Sequence, residues 1–230
     1  MARLRTSERS ATSSDVVGST PERIIEASIF LFNRNGVQNV ALHRIAAHIG
    51  ISPGNLAYHF PGKRQLLLAI FPLIDNGMRH ALEPLQPLSK GATPRVAAEY
   101  QIRIFRTMWR SRFFFNALTY LLSEDEELRE RYMQFQGWVI DTLRAVLDDL
   151  IAHRHMRQVV APNTTELVAR NMWMLWLSWL RFEQINDPKT DMVENAAVYD
   201  GALQHFSLMQ PYYGKEFAAQ LLGELQQALH

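Results

Sequence analysis

At 230 residues, 47% of them hydrophobic, the chain can bury a substantial core as one large domain or two modest ones. The absence of cysteine excludes disulfides and thiolate metal sites and permits a reducing compartment. A formal net charge of +1 excludes a generic polycation, yet residues 1–64 carry eight Lys/Arg against four Asp/Glu, leaving 16 against 19 in the remainder.

The opening MARLRTSERSATSSDVVGST holds no apolar run of signal-peptide length. The most apolar stretch, Met172 to Leu180, falls far short of the roughly 20 residues that span a bilayer. A soluble, cytoplasmic protein with no membrane partner is the expectation.

Residues 1–19, rich in Ser, Thr and Arg and without periodicity, read as a disordered tail. Its arginines Arg3, Arg5 and Arg9 are either part of a solvated terminus or an arm for a DNA minor groove. Thr20-Pro21-Glu22 then supplies a cap, a first-turn proline and an acid, and predicts a helix to about Asn35 that Gly36 stops. Leu42, Ile45, Ala46 and Ile49 form one stripe of a second helix, ended at Gly50. Ser52 caps a third, Pro53 suits its first position, and Leu56 and Phe60 give it an apolar stripe. Two short helices joined by a glycine turn make a helix-turn-helix, whose second member is built to lie in the major groove of DNA.

Groove chemistry picks out the residues. Gly54 permits close backbone approach, Asn55 can pair bidentately with adenine, and Tyr58 and His59 can reach phosphates or base edges. Lys63, with Arg64 beside it, stands where the next helix begins and is expected to hold a phosphate, and His43 and Arg44 follow as candidates near the start of the second helix. With the capping pair, the expected DNA-facing set is His43, Arg44, Ser52, Pro53, Gly54, Asn55, Tyr58, His59 and Lys63.

The segment GVQNVALHRIAAHIGISPGNLAYHFPGKRQLL resembles the DNA-binding signature of the tetracycline-repressor (TetR) family: a glycine turn, a short recognition helix ending in His-Phe, and a lysine just beyond. The likeness extends back through RIIEASIFLFNRNG, with Phe32 and Gly36 where the family places its phenylalanine and glycine. Two positions depart from it. Ala41 and Ala57 stand where the family usually has Thr and Tyr, which removes two expected phosphate contacts and shifts weight to Tyr58, His59 and Lys63. The resemblance implies an N-terminal three-helix DNA reader over residues 20–64. It also implies a larger helical domain over residues 65–230 that binds a small-molecule effector and dimerises through its terminal helices.

The remaining pattern is helical throughout, so the predicted fold class is all-α. Lys63 to Leu82 predicts a long helix bent at Pro72, and LEPLQPLSKGATP reads as a linker. Further helices are predicted over Pro94–Trp109, Phe113–Leu122, Asp125–His155, Thr165–Asn186, Met192–Met209 and Tyr212–Leu229. The helix from Thr165 is apolar nearly all round and is expected to be buried. The last two carry single stripes, one through Tyr199, Ala202, Leu203, Phe206 and Met209, the other through Phe217, Ala218, Leu221, Leu222, Leu225 and Leu229. These either pack on their own domain or pair with a second copy in a four-helix bundle. One recognition helix touches few bases, so a two-fold dimer on a palindromic duplex favours the bundle.

Two chemical readings fail on inspection. Gly50-Ile51-Ser52-Pro53-Gly54 matches the nucleophile elbow G-x-S-x-G, but a helix precedes it and Pro53 lacks the N–H an oxyanion hole needs. None of the eight histidines has a Glu three residues before it, so the helical di-metal pattern is missing and neither metal nor cofactor is expected. Aromatic side chains are plentiful beyond Pro94. An apolar or amphiphilic effector is expected among Trp109, Phe113, Trp138, Met172, Trp176 and Trp179. The expected function is a DNA-binding transcriptional repressor released by a ligand. The alternatives are a helical enzyme, against which stands the lack of a catalytic constellation, and a ligand-free activator.

Overall fold

A capping box opens the first helix. Ser19, not Thr20, is the N-cap, and Glu22 accepts a hydrogen bond from the Ser19 backbone N–H at 2.8 Å. The computed structural model describes residues 19–82, 93–186 and 194–228, so all of the predicted tail over 1–19 except Ser19, most of the linker, and the ends at Met192 and Leu229 lie outside the described residues. The helices are α1 (Thr20–Asn35), α2 (Leu42–Ile49), α3 (Pro53–His59), α4 (Lys63–Leu82), α5 (Pro94–Arg110), α6 (Arg112–Asn116), α7 (Leu118–Glu124), α8 (Glu126–Ala152), α9 (Thr165–Asn186), α10 (Glu194–Met209) and α11 (Lys215–Gln227). No strand occurs among the described residues, where extended pairing is limited to a bridge between Met156 and Tyr213.

The first three helices close around one small core. Ile24, Leu31 and Phe32 from α1, Ile45 and Ala46 from α2, and Leu56 from α3 are buried, and Leu66 and Ile70 of α4 extend the same core. Helix α4 runs unbroken through Pro72, whose ring lies on an exposed face, and it packs against α1, α5 and α8. It therefore joins the reading head to the rest of the molecule.

The segment predicted as one helix from Phe113 is two. Ser111 and Ala117 adopt turn-like backbone angles, and short α6 lies between them. All three phenylalanines lie within α6, where successive side chains diverge by about 100° and so reach three different neighbours. Here Phe113 packs on Phe32 of α1, Phe114 on Phe71 of α4, and Phe115 on Trp173 of α9, with ring centroids 5.2, 5.4 and 6.1 Å apart. All three are buried.

One expectation about the second domain is corrected. Helix α9 is not buried all round: Trp173, Trp176, Trp179 and Leu180 face the core, whereas Met174, Phe182 and Ile185 are 55%, 61% and 68% exposed. The stripes of α10 and α11 divide, with Tyr199, Leu203, Phe217 and Leu222 half-buried. Ala202, Phe206, Met209, Ala218, Leu221 and Leu225 are buried within their own subunit, where both helices pack on α5. At Gly201 the contact is close enough that an added Cβ would stand 2.5 Å from the Phe105 ring and 2.8 Å from that of Trp179.

Candidate nucleic-acid interface and internal cavity

The turn between α2 and α3 is built as the local sequence dictates. Gly50 takes φ 72° and ψ 32°, the left-handed region, and its N–H closes back on Ala46 and Ala47. Ser52 Oγ then accepts the Asn55 N–H at 3.1 Å, and Pro53 occupies the first turn without a wasted donor. Arg23, which sequence reasoning passed over, donates to the Ile49 carbonyl at 3.1 Å and satisfies the end of α2.

With Leu56 and Phe60 turned into the core, the opposite edge of α3 is outward. Ser52, Pro53, Gly54 and Asn55 are exposed, and Tyr58 is 84% exposed with His59 against its ring edge at 5.1 Å. His43 and Arg44 are exposed on α2. An aromatic ring so accessible, on a helix whose apolar side is already used, presents a surface for contact.

Lys63 and Arg64 each make contacts within the protein. Lys63 Nζ is half-buried and donates to the Val37 carbonyl at 2.8 Å, fastening the α1–α2 loop to the start of α4. Burial pushes its pKa below the ordinary lysine value. Arg64 turns toward the second domain, with Nε 2.8 Å from Asp125 and Nη2 2.8 Å from Glu127. A second tie runs nearby: Asn33 of α1 donates to the Arg110 carbonyl at 2.7 Å and accepts the Phe113 N–H at 2.9 Å. One side chain thus caps the end of α5 and the start of α6.

The second domain holds an apolar cavity of about 80 Å³ between α5, α8, α9 and α10, with Tyr213 and Phe217 also in its wall. Of the six expected ligand residues, Met172 and Trp176 line it. Trp109, Phe113 and Trp179 are core residues elsewhere, and Trp138 lies half-buried under the Arg79 guanidinium, 4.3 Å from its ring centre. The cavity's polar floor was missed. Gln101 and His205 are each 5% exposed, and Trp176 Nε1 donates to His205 Nδ1 at 3.2 Å. Desolvation lowers the His205 pKa to about 4, so the ring is neutral. The available signal was a lone polar residue inside an apolar stripe, Gln101 between Ala98 and Phe105 and His205 between Ala202 and Met209.

Among the described residues, no helix is long and apolar enough to cross a membrane. Comparison with curated proteins gives no match. Comparison with solved structures gives several. A TetR-family transcriptional regulator from Marinobacter aquaeolei VT8 is 26% identical, covers 91% of this chain and 98% of its own, and superposes with a TM-score of 0.78. The regulator PfmR from Thermus thermophilus is 21% identical over 82% of this chain and 97% of its own, with a TM-score of 0.59. NalD from Pseudomonas aeruginosa, a repressor of a multidrug efflux pump, is 19% identical over 85% and 97%, with a TM-score of 0.55. At these lower identities PfmR and NalD speak for the fold alone. Residues 24–70 match the family described as bacterial regulatory proteins, tetR family, and residues 77–221 match the one described as bacterial transcriptional repressor. With both segments matched in order over the architecture described above, this chain belongs to the TetR family of DNA-binding transcriptional regulators.

Proposed function

We propose that the protein represses transcription as a homodimer on a palindromic operator and is released by a small apolar or amphiphilic ligand in the cavity between α5 and α10. The observation that carries the DNA half is the outward edge of α3, where Asn55 and the 84% exposed Tyr58 stand opposite a buried stripe. Gly54 lets the backbone approach a duplex, Asn55 reads a base, and Tyr58, His59, His43 and Arg44 take phosphates or base edges. Lys63 acts by holding the α1–α2 loop in register. The family description of the second segment as a repressor supports the sign of regulation.

The dimer surface in this reading is the outer face of α8 and α9, in place of α10 and α11. Met174, Phe182 and Ile185 of α9 and Met133 of α8 are exposed apolar side chains on two helices that pack on each other. Gly137, an exposed mid-helix glycine on α8 with open space where a Cβ would stand, lets a second backbone come close. Two copies of this pair form a four-helix bundle, and the apolar surround of α9 is accounted for by one face turned inward and one turned to a partner.

Footprinting of genomic DNA with the purified protein tests the proposal. The expected result is a protected inverted repeat whose half-sites lie about one turn (roughly 34 to 36 Å) or a multiple apart. Phe182→Glu with Met174→Glu is expected to give a folded monomer by light scattering that no longer protects the repeat. Duplex binding no tighter than to random competitor would defeat the reading.

A further inference from the structure

Most of the cavity wall is aliphatic or aromatic, which makes its few polar atoms informative. Gln101 extends from α5 into it, and its Oε1 is buried without a hydrogen-bond partner. Leucine or methionine would fill this place on an otherwise apolar stripe, and a buried acceptor left unpaired is destabilising. His205 supplies the complementary group. Because its Nδ1 accepts the Trp176 indole N–H at 3.2 Å, the ring proton is on Nε2, which makes that nitrogen a donor. The cavity lining contains no Lys, Arg, Asp or Glu, and its second imidazole, His155, is half-buried where the cavity meets the surface groove, so a charged group drawn to the floor would lose its hydration with no counter-charge beside it.

We propose that the floor of this cavity selects an uncharged ligand whose polar end donates a hydrogen bond to Gln101 Oε1 and accepts one from His205 Nε2–H: an alcohol, phenol or primary amide on a compact apolar body. The assignment rests on the effector reading above only for its regulatory consequence. Size narrows it further. A cavity of about 80 Å³ is roughly half of one that takes a benzene ring, so the ligand is at most a single ring, and a ring is admitted only as the half-buried rim at Ala97, Leu150 and Phe217 gives way. Outside that rim, Arg154, Arg157 and Lys215 border a neighbouring surface groove that shares His155 and Phe217 with the cavity. An anionic head held there with its tail inward is the competing arrangement, and the test separates the two.

Titration calorimetry on the full chain at neutral pH, without DNA, compares phenol, anisole, toluene, benzoate and benzylammonium. Phenol and anisole share a ring and an oxygen, but only phenol donates. The expected order is phenol at least about tenfold tighter than anisole, anisole tighter than toluene through the oxygen that accepts from His205, and no binding of either ion. Gln101→Leu is expected to raise the Tm of the ligand-free protein and to bring phenol down to the anisole level. Equal affinities for phenol and anisole in the wild type, which needs no variant to fold, would overturn the proposal. So would benzoate as the tightest probe, a preference for phenol that survives Gln101→Leu, or no heat from any probe at millimolar concentration. Phenol binding with the expected preference but no change in operator affinity would refute the effector reading and leave this assignment standing.

Discussion

The most quantitative consequence of the structure concerns His205, whose burial makes folding depend on pH. Its pKa falls from 6.5 to about 4 in the native state because desolvation disfavours the imidazolium. At about 1.36 kcal/mol per pH unit, that gap caps the effect at about 3 kcal/mol. The sign follows from which state holds the proton more tightly. The unfolded chain does, so the stabilisation is complete above about pH 6.5 and is lost as pH falls toward 4. Between about pH 7.5 and pH 5, linkage assigns about 2 kcal/mol to this one group, equivalent to roughly 4–8 °C in Tm for a chain of this size. Other groups titrate over the same range, so a variant supplies the reference. His205→Gln keeps an acceptor for the Trp176 indole and has no ionisation. Urea unfolding at the two pH values should show wild type losing about 2 kcal/mol more than the variant. Equal losses in the two proteins would refute the claim that the ring is buried and neutral.

Three further outcomes are expected. Lys63→Ala should lower stability by about 1–2 kcal/mol in urea unfolding by freeing the Val37 carbonyl, and should weaken operator binding while leaving its salt slope nearly unchanged; a slope flatter by about one would return the ammonium to a phosphate. Asn33→Ala removes both hydrogen bonds across the domain junction, so Tm should drop by a few degrees and ligand should shift operator affinity less than in wild type by fluorescence anisotropy. Gly201→Ala should cost about 1–3 kcal/mol by calorimetry, since its methyl group meets the rings of Phe105 and Trp179, both held in the core.

The reading head was largely legible in the sequence because its signals are local. Gly50, Ser52 and Pro53 specify a turn and a cap within five residues, and Leu56 with Phe60 fixes which side of α3 faces inward. Lys63 was less transparent, since its partner is 26 residues away and its spacing says nothing about which way the ammonium turns. In the second domain the limits are those of hydrophobicity itself. An apolar stripe requires cover but does not say whose: α10 and α11 are covered in part by α5, while part of α9 is left outward. Bulk is likewise a poor guide to the cavity, since large rings such as Trp179 fill space while smaller aliphatic side chains with Gln101 and His205 leave it.

The run Phe113–Phe115 works as a rivet through three plates. Its first ring is lodged in α1, its second in α4 and its third in α9, so the groove-reading helices, the connecting shaft and the cavity wall meet at three adjacent residues. In the proposed ligand response, Phe115 on α9 and Phe113 on α1 stand two residues apart and offer a short route from the cavity wall to the first helix. Shrinking any one of the three rings should therefore loosen a different joint of the same machine.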